Sequence, residues 1–133
     1  MAGETSLTTL LRSMSTQLNA GEYVFCTLPG GVLPSDMEIV GSFREQEGLT
    51  VIIQRDHAEQ AGLHFDYVAA WITLNVHSAL EAVGLTAAFA TALGQAGISC
   101  NVIAGYYHDH LFVGQADAER AMQVLRDLAV NAE

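Results

Sequence analysis

The run Val83-Gly84-Leu85-Thr86-Ala87-Ala88-Phe89-Ala90-Thr91-Ala92-Leu93-Gly94-Gln95-Ala96-Gly97-Ile98-Ser99-Cys100-Asn101-Val102 changes hydrophobic period once, at Gly97. Before it, Leu85, Phe89, Ala92, Leu93 and Ala96 recur at helical steps; after it, Ile98 to Ala104 reads as a strand. A helix that ends on glycine and passes directly into a strand belongs to a mixed α and β architecture. The opposite helix face, Ala87, Ala90, Thr91 and Gly94, carries no charge, whereas a face exposed to water ordinarily does. Small residues admit another backbone closely, so this face is expected to pack against a second module or a second copy of the chain.

Working outward, Tyr67 to Val76 is the longest strand candidate, with Ile72, Leu74 and Val76 on one face and Trp71, Thr73 and Asn75 on the other. Ile98 to Ala104 and Leu111 to Val113 form strands joined across Gly105 to His110, and Asp117 to Ala129 closes the chain as a helix. In the first half, Leu7, Leu10, Leu11, Met14 and Leu18 predict a helix from Thr5 to Leu18. Tyr23 to Leu28 reads as a strand, Pro29 to Asp36 as a loop and Glu38 to Phe43 as a short strand. Leu49 to Ile53 is a β-branched strand, followed by a short helix capped by Asp56 and stopped by Gly62.

The element order suggests an internal duplication. Leu7-Thr8 and Leu85-Thr86 open the two longer helices, Asn19-Ala20-Gly21 and Gln95-Ala96-Gly97 end them, and Gln54 to Ala61 aligns with Gln115 to Ala121. Two half-chains, 1–66 and 67–133, each alternating helices with antiparallel strands, predict an α+β fold of two ferredoxin-like modules with helices on one face of the sheet. Each half lies near the lower limit for independent folding, so the halves are expected to share a core or to be completed by a homodimer.

Composition narrows the function. The 133 residues are 50% apolar and carry 15 acidic side chains against 5 basic ones, all arginine, for a net charge of −10. No basic run exists to neutralise phosphates, which argues against nucleic acid and against an anionic membrane surface. The stretch 82–108 has no charge and is long enough to span a bilayer, but its change of period at Gly97 and its glycines argue for a buried helix and strand instead. Cys26 and Cys100 sit in apolar runs without metal-ligand spacing, and the first residues lack a signal-peptide pattern. A cytoplasmic location is therefore expected.

The run 83–102, with the flanking VHSALEAVGLT and YYHDHLFV, resembles the signature of ACT domains, in which Gly-Leu opens the first helix and Ala-Gly-Ile leads into the second strand. The whole chain resembles the small stand-alone tandem-ACT proteins, relatives of amino-acid sensors and of the regulatory modules of aspartate kinases. The first half departs from the pattern through its Pro/Gly insert. The resemblance implies a non-catalytic regulatory protein without a cofactor that binds an amino acid or similar small molecule where the first strand meets the first helix. Carried over, it places the ligand at His77, Ser78, Ala79, Leu80, Val83, Gly84 and Leu85, facing Asn101 and Ile103. Backbone N–H groups at a helix start suit a carboxylate, and Gly84 presents no Cβ to an approaching ligand.

Other readings stand beside this one. Ser78 and Glu81 fit a capping box. His77, His108 and His110 would make a metal-dependent enzyme if they converged, although no third ligand shows a diagnostic spacing. Asp109 reads as a turn residue, and Arg44 as part of a solvated turn or as a partner for a ligand carboxylate. Cys100 on an uncharged strand reads as an inert thiol, and no phosphate loop or nucleophile elbow is present. A ligand-free dimerisation module is the remaining alternative.

Overall fold

The computed structural model describes residues 6–76 and 84–132. The described elements are helix α1 (Leu7–Ser13), strands β1 (Ser15–Leu28), β2 (Gly41–Arg44) and β3 (Leu49–Gln54), and helix α2 (Arg55–Gln60). Strand β4 (Val68–Asn75), helix α3 (Leu85–Gln95), strands β5 (Cys100–Ala104) and β6 (Asp109–Gly114), and helix α4 (Ala118–Val130) follow. The chain divides into two compact units, residues 1–19 with 70–133 and residues 20–69. Strands β1 and β4 run through both boundaries.

In the larger unit the strand order is β1-β4-β6-β5, with β5 antiparallel to β6. Strand alternation sends Ile72 and Leu74 of β4, and Leu111 and Val113 of β6, to one face. There they meet Leu10, Leu11 and Met14 of the N-terminal segment, Leu85, Phe89 and Leu93 of α3, and Ala121, Met122 and Leu125 of α4. All are buried, so the three helices lie on one face of these strands. In the smaller unit the order is β2-β3-β1, both pairs antiparallel. Val24, Cys26, Leu28, Leu49, Val51 and Ile53 pack there against Ala58 of α2. This is the α+β, ferredoxin-type arrangement read from the sequence, with antiparallel strands and helices.

Three local expectations are corrected. The first helix stops at Ser13 rather than Leu18: Met14 is extended (φ −67°, ψ 129°) and Ser15 opens β1. Pairing beside β4 prevails over the helical spacing, because the Asn19 side chain donates to the Trp71 carbonyl at 3.2 Å and to the Thr73 hydroxyl at 3.0 Å. The N-cap of α2 is Gln54, not Asp56, which sits within the first turn, where its charge complements the helix dipole. Finally, β1 pairs with β3 and β4 neighbours β6, so the repeat aligns strand with strand. The Pro/Gly segment after β1 stands where α3 follows β4, and α1 is an addition that packs against α3 and α4. The matched Leu-Thr starts of α1 and α3 thus do not mark equivalent elements.

Candidate functional site

Helix α3 begins at Gly84, which has φ +97° and ψ −17°, the left-handed region in which only glycine sits without strain. A Cβ there would lie 3.3 Å from Cδ2 of Leu7. The backbone conformation requires the glycine, beyond any approach of a ligand, and a side chain here would also press on the end of Leu7. The first turn of α3 contains no acidic residue, and among the described residues no side chain caps it or accepts from its first N–H groups. Leu85 is buried in the core.

Asn101 and Ile103 lie on β5, opposite Phe112 and His110 of β6. They occupy the face away from the helices, since the alternate residues Cys100 and Val102 pack on the helical core. The structure therefore brings Asn101, Ile103 and His110 together and places Gly84 and Leu85 on the other side of these strands. His77, Ser78, Ala79, Leu80 and Val83 lie outside the described residues, as does the capping box of Ser78 and Glu81.

On the helix-free face a polar network sits beneath a row of rings. The Trp71 indole N–H donates to Nδ1 of His110 at 3.1 Å, and the Thr73 hydroxyl lies 3.2 Å from the same nitrogen. An indole can only donate, so Nδ1 accepts and the imidazole carries its proton on Nε2. The rings of Phe112, Trp71, His110, His108, Tyr107 and Tyr106 follow one another at centroid separations of 5.0 to 6.5 Å. Gly105 is required beneath this row, because a Cβ there would stand 2.9 Å from the His108 carbonyl oxygen and 3.2 Å from Nε2 of His110. Tyr106 and Tyr107 at the turn are exposed.

Burial lowers the pKa of His110, aided by His108 and opposed by Asp109. The unfolded chain protonates this histidine near its ordinary value of about 6.5, while the folded chain resists until lower pH. Stability should thus be complete above that value and decline as pH falls below it. Chemical denaturation between pH 7 and pH 5.5 should show the decline in wild type and a smaller one in His110→Gln; equal slopes would contradict the assignment.

The expected turn role of Asp109 is not what the structure shows. The turn is closed through the backbone, Gly105 N–H to the His108 carbonyl at 2.8 Å, and Asp109 is the first residue of β6, paired with Ala104. Its half-buried carboxylate has no hydrogen bond or ion pair among the described residues, and burial raises its pKa against the lowering influence of His110 and His108. The available signal was its isolation: Asp109 is the only charged residue between Glu81 and Asp117.

The other candidates follow from their surroundings. Burial raises the pKa of both Cys26 and Cys100, the opposite of an activated nucleophile. Among the described residues no group of three or more His, Cys, Asp and Glu is placed to hold a metal. Arg44 is exposed at the end of β2, beside a turn closed between Glu45 and Gly48. A groove of about 390 Å³ lies between Asp36, Met37, Glu38 and the His57 to Ala61 end of α2. No helix among the described residues is long and apolar enough to cross a membrane.

An α+β fold with helices on one face of antiparallel strands, and a glycine-opened helix after a central strand, defines the ferredoxin-type class of small modules. Two ACT-domain family models match the chain, over residues 2–70 and 67–127. The chain belongs to the ACT-domain family and carries its domain in tandem. Among solved structures, a Vibrio cholerae protein of unknown function, described as a possible transport protein, is 53% identical with a TM-score of 0.82, over 92% of this chain and 95% of that one. The regulatory subunit of aspartate kinase from Thermus flavus shares the fold at 9% identity and TM-score 0.61, covering 86% of this chain and 95% of that one. Escherichia coli aspartokinase III, solved with aspartate and ADP, does so at 12% identity and TM-score 0.63, over 92% of this chain and 34% of that one. No curated protein matches the sequence.

Proposed function

We propose that this chain is a non-catalytic regulatory protein that binds a free amino acid or similar small molecule at the start of α3. The observation that carries the reading is the first turn of α3, which opens on Gly84 with no acidic residue and no side-chain cap among the described residues. A ligand carboxylate is the chemistry such a turn accepts. Membership of the ACT family supports it, as does the likeness in fold to an aspartokinase solved with aspartate. On this reading His77, Ser78, Ala79, Leu80, Val83, Gly84 and Leu85 form the ligand loop, and Asn101 and Ile103, which face the other side of β5, take no part in it. The modules divide near residue 66, and the protein is a cytoplasmic homodimer.

One observation favours the second reading, a ligand-free association module. Ala87, Thr91 and Gly94 of α3 form an uncharged face that is exposed in the single chain. Two copies of a chain with charge −10 repel least where neither carries charge.

The two readings separate in a thermal-shift panel of the standard L-amino acids. A ligand at about 100 times its Kd adds about 2.7 kcal/mol to stability, so binding predicts a clear rise in Tm for at least one of them. A flat panel, with the dimer intact by sedimentation, supports the association module instead.

A further inference from the structure

We propose that His110 is a proton-operated latch. Neutral, it ties the turn 105–108 to β4; once it takes a proton from solvent, it releases the Trp71 indole and lets that turn shift within an intact fold. The donors of the helix-free face run in one direction and end on one atom. Gln17 Nε2 donates to Asn19 Oδ1 at 3.2 Å, and Asn19 Nδ2 donates to the Thr73 hydroxyl at 3.0 Å. That hydroxyl lies 3.2 Å from Nδ1 of His110, where the Trp71 indole N–H also arrives at 3.1 Å. The lone pair of Nδ1 is thus the acceptor on which both branches close. Protonation turns this acceptor into a donor. The Thr73 hydroxyl can reverse, because its oxygen also accepts, but an indole nitrogen only donates. Two N–H groups then face each other across the former bond, and the Trp71 contact must break.

The ring is held against the turn as closely as against β4. Nε2 stands 3.2 Å from the point a Cβ of Gly105 would occupy, and the Gly105 N–H closes the turn on the His108 carbonyl at 2.8 Å. A ring that withdraws from Trp71 therefore displaces Gly105, and with it the exposed Tyr106 and Tyr107. Around the ring, β4 contributes Trp71 and Thr73, β5 contributes Ile103 opposite it, and β1 contributes Asn19 through Thr73; none carries a charge. The titratable groups beside it are on its own hairpin: His108, with ring centroids 6.4 Å apart, and Asp109, whose side chain lies toward the helical face. Burial, aided by His108 and opposed by Asp109, lowers the pKa of His110 from histidine's ordinary value of about 6.5. The latch is closed at neutral pH and opens on acidification. A bond that only braced the sheet would leave the indole unmoved until the fold itself was lost.

The test is NMR of the isotope-labelled full chain, titrated from about pH 7.5 to about pH 4.5, following the histidine rings and the indole N–H. Trp71 is the only tryptophan, so its side chain gives one signal. The proposal predicts that neutral His110 carries its proton on Nε2. The indole signal and the backbone amides of Gly105 to His108 should move along the His110 titration curve, with a midpoint below about 6.5, while the amides of α4 stay in place. His110→Asn, whose amide oxygen can replace Nδ1 as acceptor, should lose the indole response. His108→Gln should keep it and move the midpoint upward, since a neighbouring positive charge is gone. In wild type alone, three results overturn the proposal: a His110 that stays neutral throughout, an indole signal that ignores its titration, or one that moves only with global unfolding. A full indole response in folded His110→Asn overturns it as well.

Discussion

Replacing Phe89 with alanine is expected to destabilise the protein by about 3–5 kcal/mol. The ring is fully buried in the cluster that joins α1, α3 and α4 to β4 and β6. Its loss leaves a cavity in a cluster to which three helices contribute. Because a whole domain is stable by only about 5–15 kcal/mol, the change consumes a large part of that margin. The denaturation midpoint should fall sharply with little change in slope. Ala87→Ser, on the exposed side of the same helix, should stay within about 0.5 kcal/mol. Similar losses for the two variants would mean that α3 is not seated as described.

The second large effect is expected at Gly84. Valine at φ +97° is held in a conformation that L side chains avoid, at a cost of about 1–3 kcal/mol. Its Cβ also presses on Leu7, 3.3 Å away. Gly84→Val should therefore lower the Tm and abolish the response to amino acids, since the turn that presents the first N–H groups of α3 must rearrange. Adding Leu7→Ala should recover the contact part of the loss but not the conformational part. Gly84→Asn should be milder than valine, because asparagine tolerates the left-handed region better. Retained stability and retained ligand response in Gly84→Val would contradict this account of the helix start.

Much of the larger unit is legible in the residues alone. In α3, β4 and α4 the hydrophobic period is strong, and the buried Leu85, Phe89 and Leu93, Ile72 and Leu74, and Ala121, Met122 and Leu125 are the residues that period selects. The start of β1 is not legible, because Ser15 to Asn19 is polar and Leu18 happens to continue the helical spacing of α1. Only the bonds from Asn19 to the distant Trp71 and Thr73 show why it is a strand. The site divides similarly. The Gly-Leu start of α3 is visible in sequence, but the face on which Asn101 and Ile103 fall depends on pairing with Phe112 and His110. The Trp71 to His110 bond joins residues far apart in the chain, and no local pattern announces it.

The most direct test of the central claim is a heteronuclear NMR titration of the isotope-labelled full chain with the standard L-amino acids, followed through its backbone amides. The account predicts saturable shift changes for at least one amino acid, concentrated at Gly84 to Ala88. An unchanged spectrum across all of them, or changes confined to the groove between Asp36 and His57, would contradict it.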